Sequence, residues 1–221
     1  MHLRPIVAAS LRDALTFWLP VACAGCGALD VELCDGCRGA LVPVPVRRPL
    51  APGLSVTSAI AFEGAAARVI RALKEEGRTP LARALAPALR ALLSGMPADA
   101  VVTTVPSTRA AMRRRGFRLV ELIVRRAGYR DRRLVRLRRT PRDQRGLDRD
   151  ARRRNVGGAF VARAVDGRPV VLVDDVVTTG ATLREVARVL TEAGATRVLA
   201  VTLAHTPRRG GFGGEPEVIG T

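Results

Sequence analysis

Apolar positions along this chain recur at two periods. Over Ala65–Glu76, Leu81–Leu93, Arg109–Ala127 and Ala181–Ala193 they return every three or four residues, the spacing that predicts one buried face of a helix. Val56–Phe62, Ala100–Val105, Arg133–Leu137, Ala159–Ala162, the run beginning at Val170, and Arg197–Ala204 read instead as strands. Strands that alternate with helices predict an α/β domain with a mostly parallel sheet. Leu41–Leu54 is rich in Pro and lacks periodicity, so it reads as a linker. Leu3, Val7, Leu11, Ala14, Leu15 and Trp18 keep helical spacing and predict an amphipathic N-terminal helix, whereas His205–Thr221 reads as a loose tail.

One strand carries the chemistry. In Val170–Thr182, VVLVDDVVTTGAT, an apolar run meets two adjacent carboxylates and then a Thr- and Gly-rich turn that opens a helix. A buried parallel strand reads as such a run, and ligands of open α/β sheets collect outside the carboxyl ends of the strands. Asp174 and Asp175 can accept from a vicinal diol. The loop Val176, Val177, Thr178, Thr179, Gly180, Ala181 and Thr182, with its N–H groups and hydroxyls at a helix start, can hold a phosphate monoester. A diol next to a phosphate describes a ribose 5-phosphate. The competing reading makes Asp174 and Asp175 simple caps of the following helix. A Walker A loop is excluded, because no Gly-Lys-Ser/Thr follows and the only lysine, Lys74, stands far off in sequence.

Charge adds a second theme. The chain of 221 residues has a formal net charge of +17, and Arg109–Arg154 alone holds nineteen arginines against five acidic residues. Biased Arg usage explains Arg in place of Lys but not this clustering, which predicts contact with a polyphosphate or a nucleic-acid backbone. For Arg109, Arg113 and Arg115 a solvent-exposed helix face and a phosphate role both stay open. Lys74 is expected at a helix end, where its charge suits the dipole. Asn155 is read as ending a turn, and His2 and His205 as surface residues.

All four cysteines fall in Cys23-Ala-Gly-Cys26 and Cys34-Asp-Gly-Cys37. Paired C-x-x-C knuckles bring four thiolates to one tetrahedral point, which suits a closed structural Zn²⁺ site. Two disulfides or a redox pair are the alternative, and iron can replace zinc in such a set. Arg12 and Asp13 split the apolar start, so no export signal is expected, nor a membrane span; the expected location is cytoplasmic.

The thirteen-residue run resembles the phosphoribosyl diphosphate signature of type I phosphoribosyltransferases. Around it, further motifs fall in an order similar to the ComF family: the cysteine pairs, Phe62-Glu63-Gly64 with Leu73-Lys74, Val105-Pro106, and Arg114-Arg115-Gly116-Phe117. Arg139-Thr140, Gln144-Arg145-Gly146-Leu147, Arg154-Asn155-Val156 and Gly158-Ala159-Phe160 then lead to the signature. The family usually follows Arg-Gly-Phe with Asn-Gln, where this chain has Arg118-Leu119, and often has an aromatic where Glu75 stands.

The resemblance implies a type I phosphoribosyltransferase-like domain with a mostly parallel sheet, preceded by a small zinc knuckle. The expected division is residues 1–48 for the N-terminal helix and zinc segment, 49–205 for the main domain and 206–221 for the tail. By the same resemblance, Asp174 and Asp175 accept from the ribose hydroxyls, the following loop wraps the 5-phosphate, and Pro106, Ser107, Thr108 and Arg109 occupy the diphosphate loop. Mg²⁺ accompanies the ligand, and Arg138–Gly158 fits a lid. The implied partners are phosphoribosyl diphosphate, single-stranded DNA and a DNA translocase or helicase, in DNA uptake or a related process. A transferase passing phosphoribosyl to a nitrogenous acceptor is the alternative function.

Overall fold

The computed structural model describes residues 21–139, 156–207 and 217–218, the last pair by backbone alone. The expected N-terminal helix, most of the Arg138–Gly158 lid with Asn155, His2, and most of the tail therefore lie outside the described residues.

The elements follow in the order α1 (Asp35–Gly39), β1 (Val46–Ala51), β2 (Leu54–Ala61), α2 (Gly64–Glu75), α3 (Leu81–Leu93), β3 (Val101–Thr104), α4 (Arg109–Arg115) and α5 (Leu119–Arg126). Then come β4 (Val135–Leu137), β5 (Phe160–Ala162), β6 (Val170–Val177), α6 (Ala181–Glu192), β7 (Val198–His205) and β8 (Glu217–Val218). Six strands form one sheet in the order β3-β6-β7-β2-β1-β8, and β4 pairs with β5 separately. β3, β6, β7 and β2 are parallel, while β1 and β8 are antiparallel additions. This is the α/β architecture with a mostly parallel sheet that the alternating pattern predicts.

Packing on both faces explains the continuous apolar runs. Val171 and Val173 of β6 join a core with α2, α3 and α5, and Val170 and Leu172 join a second core with α6 and β4–β5. Cys23, Leu33, Cys37 and Leu41 belong to the first of these cores. The small apolar composition shows here: much of the helical packing is Ala and Leu, as in α3, where Leu81, Leu85 and Leu89 are almost wholly buried. The exposed flank of β3 is covered by Asp131–Leu134. Arg132 N–H donates to Val102 O at 3.0 Å and Leu134 N–H to Thr103 Oγ1 at 3.1 Å, which closes a sheet edge that would otherwise invite pairing.

Three local expectations change. The linker Leu41–Leu54 contains β1, which pairs across the Pro52-Gly53 turn with β2; Pro49 is tolerated where the ladder register shifts. The helix expected over Arg109–Ala127 is two helices. Gly116 takes the left-handed conformation at φ 76° and ends α4, its N–H reaching back to Met112 O. Finally, the tail supplies Glu217–Val218 as a short strand against β1.

Candidate functional site

β6 does not stop at its acids. The strand runs through Asp174 and Asp175 to Val177, so both carboxylates project from regular strand near its carboxyl end. Helix α6 starts from Gly180, whose φ is 73°, with no side-chain cap bond. The reading of Asp174 and Asp175 as helix caps is thereby excluded. They instead bind their own strand: Asp174 Oδ1 accepts from Asp175 N–H at 2.9 Å and Asp175 Oδ1 from Val176 N–H at 2.7 Å.

Charge around the acids comes from two helix ends. Lys74, in the last turn of α2, forms an ion pair with Asp175 Oδ2; its helix-end position is as expected, but its place is in the crevice. Arg115, closing α4, feels the charges of Asp175 and Glu75, and its buried Nε has no hydrogen-bond partner among the described residues. Burial around the Asp174 carboxyl, followed by the neighbouring Asp175 charge, pushes its pKa up to about 8, although Lys74 and the Asp175 N–H oppose the shift. Burial and the adjoining acid thus favour retention of a proton on Asp174, while Lys74 pairs with Asp175.

The next turn has its carbonyls tied away. Val177 O accepts from Thr206 N–H at 3.0 Å, Thr178 O from Arg48 Nη2 at 2.9 Å and Thr179 O from Arg184 Nη1 at 3.1 Å. Among the described residues, no hydrogen bond engages the N–H groups of Thr178, Thr179, Gly180 or Thr182, and Ala181 N–H makes only a 3.4 Å contact with Thr179 Oγ1. Oriented N–H groups at the start of a twelve-residue helix form an anion-binding concavity. Leu50 of β1 packs on this turn, where a Cβ on Gly180 would meet the movable end of its side chain at 2.5 Å, and the left-handed φ of 73° is what favours glycine here.

The turn after β3 is fixed by Asp131, which sequence reasoning did not single out. Asp131 Oδ2 accepts from Thr104 Oγ1 at 2.7 Å, and Oδ1 accepts from Thr104 N–H at 3.2 Å and Arg133 N–H at 2.8 Å. Thr108 Oγ1 caps α4 by accepting from Ala111 N–H at 3.1 Å, leaving its O–H to donate elsewhere. Ser107 is half-buried and Arg109 exposed beside it, while Arg113 is exposed. His205 is not the surface residue expected: it ends β7, and burial followed by the Arg48 charge lowers its pKa. Arg48 lacked a local sequence signal, since Thr178 and His205, which it approaches, lie more than a hundred residues away.

The four cysteines meet at one point. Their sulfur atoms all lie within 4.8 Å of one another, and Cys34 Sγ is 3.7 Å from both Cys23 Sγ and Cys26 Sγ. A tetrahedron with Zn–S bonds of about 2.3 Å has edges of roughly 3.8 Å, so the set fits zinc; none of the thiols is in a disulfide. N–H groups of Gly25 and Cys34 each donate to Cys23 Sγ at 3.4 Å. The Cys34 N–H is the main reason that the Cys23 thiol falls to about 5, whereas burial raises Cys37 to about 12.

Comparison with known proteins bears on the second half of the chain. Residues 113–213 match the phosphoribosyl transferase domain. Orotate phosphoribosyltransferases from two strains of Acinetobacter baumannii are each 44% identical over 48 residues, which is 22% of this chain and 22% of the relative. The chain thus matches about a fifth of the length of these curated relatives. A solved structure of the allosteric regulatory enzyme of purine biosynthesis aligns at 26% identity over 55% of this chain and 25% of its own, with a TM-score of 0.34 that is too low to bear on the fold.

Proposed function

We propose that the crevice binds phosphoribosyl diphosphate, with Asp174 and Asp175 accepting from the ribose hydroxyls and Thr178–Thr182 holding the 5-phosphate. The observation that carries this reading is the turn itself: its carbonyls are tied to Arg48, Arg184 and Thr206, and its N–H groups are left for an anion directly after two acids. The match of residues 113–213 to the phosphoribosyl transferase domain supports it. Ser107, Thr108 and Arg109 then face the diphosphate, and Arg115 adds charge from the end of α4. An oxygen-donor crevice suits the hard Mg²⁺ ion, which when bound neutralises the diphosphate. The four sulfurs hold zinc as a structural ion.

The protein then works as a ComF-type phosphoribosyl diphosphate-binding protein in the cytoplasm, handling single-stranded DNA beside a translocase or helicase. A cleft of about 680 Å³ supports the nucleic-acid part: five exposed arginines, Arg125, Arg130, Arg132, Arg133 and Arg163, line it with Tyr129 and outnumber its two acids, Glu121, which pairs with Arg133, and Asp131. Anisotropy of labelled oligonucleotide across a salt series tests this, with binding expected to weaken by roughly one power of salt per neutralised phosphate. Absent or salt-insensitive binding removes the DNA role. The second reading is catalytic: a nitrogenous acceptor bonds to the anomeric carbon as diphosphate departs. The likeness to orotate phosphoribosyltransferases favours it. Diphosphate release in a screen of nitrogenous bases decides for the enzyme, and none with any base decides against it.

A further inference from the structure

Lysine occurs once in this chain. Of 37 basic residues, 36 are arginine, so the composition places Arg almost wherever a cation is wanted. The exception is Lys74, whose Nζ pairs with Asp175 Oδ2. The pair is only partly withdrawn from water, the lysine side chain being 32% exposed and the aspartate 14%. An ammonium is a compact point charge on a flexible stem, whereas a guanidinium grips a carboxylate as a rigid two-pronged fork. A lysine therefore leaves a carboxylate and moves to another anion more readily than an arginine.

We propose that Lys74 is an exchangeable counter-ion of the crevice: it closes on Asp175 in the free protein and is taken over by the diphosphate when the ribose ester claims that acid. This rests on the phosphoribosyl reading above and assigns Lys74 the part of a positioning and specificity residue. The surroundings support exchange. Among the described residues Lys74 makes the ion pair with Asp175, so it is the cation that a ligand on that acid displaces. Arg115, with its buried Nε unpartnered among the described residues, keeps positive charge beside Asp175 during the exchange.

Calorimetry with phosphoribosyl diphosphate and with ribose 5-phosphate, both with Mg²⁺, separates this from a purely structural role. Lys74→Met is expected to weaken phosphoribosyl diphosphate roughly tenfold or more, the scale of one lost charge-assisted hydrogen bond, while ribose 5-phosphate changes by less than about threefold. Lys74→Arg keeps the charge but locks Asp175, so it too is expected to weaken phosphoribosyl diphosphate, with the melting temperature retained. Equal losses for both ligands in Lys74→Met, or full affinity in Lys74→Arg, would overturn the proposal and leave the pocket standing. If the unaltered protein binds neither ligand, the phosphoribosyl reading falls first and this inference with it.

Discussion

The four-cysteine knuckle and the acid crevice are both clusters of groups that repel one another once ionised, and the chain balances them differently. In the crevice the counter-charge is internal, supplied by Lys74 and Arg115 from the ends of α2 and α4. In the knuckle four sulfurs crowd within 4.8 Å, a set that could hold a metal ion, whose charge would reconcile four thiolates. The first arrangement suits an exchangeable ligand, because a displaced internal cation can return. The second suits permanent architecture.

One helix joins them. Arg68 of α2 donates to Gly25 O in the knuckle, Arg78 just beyond α2 donates to Glu32 O at 3.1 Å, and Lys74 at its end reaches Asp175. Zinc removal by a chelator, or Cys37→Ser, breaks the comparison most severely. Either is expected to cost roughly 3–5 kcal/mol, since metal binding is folding energy and Cys23, Leu33, Cys37 and Leu41 are part of the core. Thermal unfolding alongside metal analysis measures this; an unchanged melting temperature in metal-free protein would show that the knuckle stands without an ion.

Asp174→Asn sharpens the other side. A carboxyl raised to about 8 keeps in the folded state a proton that the unfolded chain gives up near its ordinary value, so folding stability falls as pH rises between the two. The Asn variant is free of that cost. It is expected to gain stability relative to the parent as pH rises, by several kcal/mol (about 1.4 for each pH unit between the two values) at pH 8.5 and by little at pH 4, judged by urea unfolding. A parent protein whose stability advantage or deficit is the same at both pH values contradicts the shift. Stability gained where ligand binding is lost is the mark of a site residue.

Gly180→Ala has a smaller effect. Left-handed backbone at φ 73° and contact with Leu50 predict a loss of about 1–2 kcal/mol, together with weaker phosphate binding at the turn. Melting curves and phosphate titration report the two parts separately.

Much of this architecture was legible because it is written locally. The helical spacing placed α2, α3 and α6 to within a residue or two, and the apolar run ending in two acids located β6 and its turn. The paired C-x-x-C spacing brought its four sulfurs together as expected. Elements whose reasons lie elsewhere in the chain were not legible. β1 looks like linker because its Pro content masks a strand held by β2 and β8, although Pro52-Gly53 was an available turn signal. Gly116 belongs to the Arg-Gly-Phe motif, and the same glycine marks the end of a helix. Lys74 enters the crevice through tertiary approach alone: no local pattern says that the end of α2 meets Asp175 across 101 residues of sequence.

The most direct test of the central claim is calorimetric titration of the protein with phosphoribosyl diphosphate and Mg²⁺, beside an Asp174→Asn/Asp175→Asn variant. Saturable heat is expected with the unaltered chain and none with the folded variant. Equal binding by both, or none by either while the cysteine site carries its metal, would contradict it.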